Sequence, residues 1–103
     1  MKKVIDGKIY NTKTATCIAS WDNGYYGGDF NRCSEDLYQT KKGVYFIYGE
    51  GGPRSRYSES CGNGTSCGED SRTVDRQEAY EWCEEMQRVD AIEEHFSDMV
   101  EEG

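Results

Sequence analysis

The chain has 103 residues, 35% of them hydrophobic, which is enough for one domain around one modest core and too little for two. A formal net charge of -8 disfavours direct binding to nucleic acid, and no apolar run reaches the length of a membrane span. Thirteen per cent aromatic residues, with eight Tyr and two Trp, exclude a disordered composition and bring large side chains to the core.

The opening MKKVIDGK passes from basic residues straight into Asp6-Gly7 with no apolar stretch, which reads as a soluble intracellular protein. Val4-Ile5 and Lys8-Ile9-Tyr10 flank that Asp-Gly pair, whose readiness for positive φ predicts a short hairpin. ATCIASW then alternates, with Ala15, Cys17, Ala19 and Trp21 expected on the core face and Thr16, Ile18 and Ser20 on the other. Asp22-Asn23-Gly24 and Gly27-Gly28-Asp29 are turn clusters. EDLYQT and VYFIYGE surround Lys41-Lys42-Gly43 as the strongest hairpin of the chain. Val44, Phe46 and Tyr48 fall on one side of it and Tyr45 and Ile47 on the other, so both faces are expected to be covered. Beyond the Gly49 to Pro53 turn, RSRYSES reads as an edge strand.

Residues 61–72 read as a Cys/Gly loop, and from residue 73 the period changes to that of a helix. Asp75 and Glu78 form a capping-box pattern ahead of Ala79, Trp82, Cys83 and Met86 on one face. Asp90 and Glu93 suggest a second start, with Ile92, Phe96 and Val100 stacked at helical spacing. The pattern predicts a single α+β domain over 1–103: a small antiparallel sheet of about four to five strands over 1–60, a loop over 61–72, and two acidic helices over 73–103. Charge divides the same way, with a net +2 over residues 1–68 and -10 over 69–103. Such a segment repels nucleic acid and attracts basic protein surfaces. Glu81, Glu84, Glu85, Glu93 and Glu94 are its candidate contacts, set against the plainer reading of a solvated helical face.

CGNGTSCG, at 61–68, places two cysteines five residues apart around glycines, wider than the usual zinc knuckle. With Cys33 and Cys83 from other segments, Cys61 and Cys67 complete a candidate structural zinc site of four thiolates. Free thiols or a redox pair are the other readings, and Cys17 is assigned to the core. His95 is the single histidine, read as a surface residue and as a substitute ligand. Neither GEGGPR nor CGNGTSCG continues into a phosphate-loop pattern, and no nucleophile signature is present, so an enzyme is not expected. Lys41, Lys42, Arg54 and Arg56 near Tyr45, Tyr48 and Tyr57 offer a second reading, a nucleic-acid patch.

YNTKTA at 10–15, WDNGYYGGDF at 21–30, LYQTKKGVYFIYGEGG at 37–52 and EAYEW at 78–82 resemble a family of small proteins of phages, plasmids and integrated elements of Gram-positive bacteria, over most of residues 4–85. The chain is also similar to zinc-containing type II-A anti-CRISPR proteins. That resemblance implies a non-enzymatic inhibitor, with structural zinc, that binds Cas9 in the cytoplasm of the host bacterial cell and blocks loading of target DNA. The alternative it leaves is a zinc-stabilised nucleic-acid-binding or regulatory accessory protein of a mobile element.

Overall fold

The computed structural model describes residues 2–25, 29–62 (for Cys61 the backbone alone) and 64–101. The Gly27-Gly28 half of the second turn cluster therefore lies outside the described residues. The chain opens with a hairpin of β1 (Lys2–Ile5) and β2 (Lys8–Asn11) around Asp6 and Gly7, whose φ values of 51° and 76° are those of a tight type I′ turn. Four antiparallel strands form the main sheet: β3 (Thr16–Asp22), β4 (Cys33–Gln39), β5 (Tyr45–Gly51) and β8 (Gly68–Val74), in the order β3-β4-β5-β8. A separate hairpin, β6 (Glu59–Cys61) and β7 (Gly64–Ser66), projects between β5 and β8. Two helices, α1 (Arg76–Glu85) and α2 (Val89–His95), and a 3-10 turn over Ser97–Met99 close the chain. The architecture is the α+β one the pattern predicts.

Both faces of the sheet are covered, as alternation in VYFIYGE requires. Leu37, Tyr45, Ile47 and Val74 meet Ala79, Trp82, Cys83, Ala91, Ile92 and Phe96 from the helices in one buried cluster. On the opposite face Tyr10 of the first hairpin lies edge-on to Phe46 at 5.4 Å, and Tyr38 stacks on the same ring at 5.2 Å. Burying bulky rings on both sides offsets the small number of aliphatic residues.

Three local readings are corrected. A bulge between Cys17 and Ala19 breaks the alternation of β3, so Ala19 and Trp21 pack against the core while Cys17 is exposed and Ile18 turns inward. RSRYSES is a run of turns until Glu59, pinned where Ser55 Oγ donates to Gly52 O and accepts from Tyr57 N. The expected loop at 61–72 contains β7 and most of β8, a polar edge strand with only Ser71 and Val74 buried. CGNGTSCG is thus the tip of the β6-β7 hairpin, with Gly62 at φ 58° in its turn.

Asp75 caps α1 as predicted, accepting from Glu78 N at 2.7 Å. The helix stops without glycine: Gln87 takes φ 54°, Gln87 N donates to Glu84 O and Arg88 N to Cys83 O, which is a Schellman closure. This stop starts α2 one residue before Asp90. Asp90 lies in its first turn and Arg88 holds the cap position without a side-chain bond, so the second capping box does not form. The helix also ends at His95, leaving Phe96 buried but Val100 42% exposed.

Candidate functional site

Side chains at Ala79, Trp82 and Cys83 face the sheet, so the 3.6-residue period turns Glu81, Glu84 and Glu85 outward; Ala91 and Ile92 do the same for Glu93 and Glu94. All five carboxylates are exposed on one helical layer. Glu84 accepts from Tyr80 OH at 2.6 Å and Glu81 from Gln77 Nε2 at 3.2 Å; Glu94 lies 3.8 Å from His95 Nε2. Among the described residues no Lys or Arg forms an ion pair with any of the five. The hydroxyl bond to Glu84 also raises the Tyr80 phenol above its ordinary value.

Between α1, α2 and the end of the chain lies a shallow groove floored by Tyr80, Val89, Ile92 and Val100 and edged by Glu84, Glu93 and Glu101. Val89 is 53% exposed on a helix that buries its other face. Glu81, Glu85 and Glu94 lie outside this groove.

Among the described residues the cysteines do not assemble. Cys83 is fully buried in the helical core, where desolvation lifts its thiol to about 11. Cys33 is buried at the start of β4, and its thiol is raised by burial and then by the neighbouring Glu35 carboxylate. Cys67 is exposed and receives Arg32 Nη2 at 3.6 Å. Among the described residues no three Cys, His, Asp or Glu side chains come together as a metal-binding group, and the Cys61 side chain lies outside the description. Cys33, Cys67 and Cys83, the described members of the candidate four-thiolate zinc site, are thus not brought together around one point.

The basic and aromatic residues of the second reading are also spread apart. Lys41 and Lys42 sit in the β4-β5 turn, whereas Arg54 and Arg56 follow the other end of β5, about 20 Å away at strand rise. Tyr45 is buried, and Tyr48 and Tyr57 are half-buried with their hydroxyls donated to Glu50 and Glu69 and to Glu35, so only parts of two of the three rings face outward.

Glu35 is the residue that sequence reasoning passed over. It is 1% exposed on β4, and its carboxylate accepts from Tyr57 OH and from Trp82 Nε1, the latter at 3.3 Å. Arg56 and Arg72 each bring a guanidinium nitrogen to 3.8 Å. Register places Glu35 beside Gly49, and Tyr57 lies so close over that glycine that an added Cβ would meet its ring at 1.9 Å. The carboxylate thus joins three parts, the sheet, helix α1 and the 52–58 loop. Sealed from solvent with its partners in place, it acts as a strut. Its signal in the sequence was a charge at the inward position between Cys33 and Leu37 in CSEDLYQ.

Among the described residues no helix is long and apolar enough to cross a membrane. Compared with protein-family models, curated proteins and solved structures, the chain matches none.

Proposed function

We propose that the chain is a non-enzymatic binding protein whose acidic helical layer docks on a cationic protein surface, and that Cas9 is the partner to test first. The supporting observation is that Glu81, Glu84, Glu85, Glu93 and Glu94 on the two helices are all exposed, with no Lys or Arg ion pair to any of them among the described residues. Uncompensated like charges on one surface repel one another, and contact with a basic surface reverses that cost. Cas9 holds nucleic acid in positively charged channels, so a carboxylate-rich layer seated there competes with target DNA for the same cations. The sheet and the Glu35 strut hold the helical layer in place.

The test adds purified protein to guide-loaded Cas9 and measures both binding and cleavage of target DNA. Inhibition is expected near stoichiometric ratio, and joint replacement of the five glutamates by Gln is expected to abolish it. Full cleavage at excess protein removes Cas9 as the partner. Inhibition that survives the replacements removes the acidic face.

A further inference from the structure

We infer that the groove between α1 and α2 is a seat for a cationic amphipathic helix. The inference rests on the docking role proposed for the acidic layer and deepens it, because the groove adds an apolar floor to what is otherwise a purely electrostatic surface. Val89 and Val100 are 53% and 42% exposed, and Tyr80 and Ile92 continue the floor beneath them. Every charged residue at its edge is a carboxylate, namely Glu84, Glu93 and Glu101, and Glu84 is held in position by the hydroxyl of Tyr80 at 2.6 Å. An occupant must therefore offer apolar side chains to the floor and Lys or Arg to the rim.

The backbone of the groove walls selects a helix over a strand. Two of the three walls are the helices α1 and α2, whose interior main-chain groups bond internally, so along them an extended peptide would find no ladder and would leave its own N-H and C=O groups unpaired; the third is the short non-helical segment of Val100 and Glu101. A helix brings its backbone already satisfied, and apolar residues at i, i+3, i+4 and i+7 span the floor while flanking lysines reach the glutamates. Glu81, Glu85 and Glu94 then contribute attraction at a distance without touching the bound helix.

The probe is a synthetic Leu/Lys amphipathic peptide of about four helical turns, with a scrambled peptide of equal composition as control. Binding is read by fluorescence anisotropy, and the contact surface by amide shifts of the isotope-labelled protein. Val89→Ser and Val100→Ser keep the net charge and are expected to weaken the amphipathic peptide by roughly tenfold each, through loss of apolar contact. The scrambled peptide is expected to bind more weakly than the amphipathic one, and shifts are expected at Tyr80, Val89 and Val100. Unchanged affinity in both serine variants, or equal binding of the scrambled peptide, overturns the groove and leaves the acidic layer standing. Binding indifferent to Glu84→Gln, Glu93→Gln and Glu101→Gln overturns the groove and the electrostatic reading together.

Discussion

At the scale of single residues the fold depends most on Glu35, a buried charge in a chain with little core to spare. Tyr57 can reach it only because Gly49 leaves the sheet bare beneath the ring. Burial and then the bond to Glu35 raise the Tyr57 phenol to about 12. Because the folded value lies above the ordinary phenol value near 10, the stability tied to that proton is complete below about pH 10 and is lost as pH rises through about 12. Tyr57→Phe keeps the ring over Gly49 and removes only the hydroxyl. It is expected to lower unfolding free energy by about 1.5–3 kcal/mol, the range for a hydrogen bond to a charged group. Urea denaturation at neutral pH measures it, and a variant as stable as the parent would show that the hydroxyl contributes nothing.

At the scale of elements the end of the chain is fastened by one side-chain pair. Arg76, in the first turn of α1, donates to both oxygens of Asp98 at 2.6 and 2.8 Å, reaches His95 O at 3.2 Å and lies over the Phe96 ring. The Arg76 bonds pull the Asp98 carboxyl down to about 2, below the ordinary aspartate value near 3.9. Its contribution is therefore present above about pH 4 and disappears as pH falls through about 2. A carboxyl titration followed by NMR should place the Asp98 midpoint near 2, and Arg76→Ala should return it to the ordinary range. A parent midpoint near 4 would mean that the clamp is open in solution. How much of this level was legible follows from the kind of signal each element carries. Asp6-Gly7, Lys41-Lys42-Gly43 and Asp75 state their turns and cap in local chemistry, and α1 states its buried face in its period. The bulge at Cys17 and the polar strand β8 are decided by pairing with other strands, which no local pattern records, and the stop at Gln87 closes on Glu84 O and Cys83 O without the glycine that would announce it. The candidate site divides in the same way. The exposed glutamates follow from helical period, whereas the groove needs α2 to end at His95 and release Val100, and the Glu35 strut needs a loop distant in sequence.

For the whole molecule the consequence is a separation of charge between a nearly neutral sheet region, +1 over residues 1–74, and a strongly acidic helical region, -9 over 75–103. Screening decides how far that layer is felt. At physiological ionic strength the Debye length is about 8 Å, so single exposed charges act locally, but several carboxylates on one face add their fields over the distance at which a partner first turns to dock. The apolar floor acts only after contact, at distances where water is expelled. Association and dissociation should therefore respond differently to salt. For the Leu/Lys helical peptide, raising ionic strength from about 0.05 to about 0.5 M is expected to slow association by about tenfold or more, with a smaller change in dissociation. Stopped-flow mixing separates the two rates. An association rate indifferent to salt would mean that the glutamate row, however exposed, does not guide the encounter, and the apolar groove alone would have to account for binding.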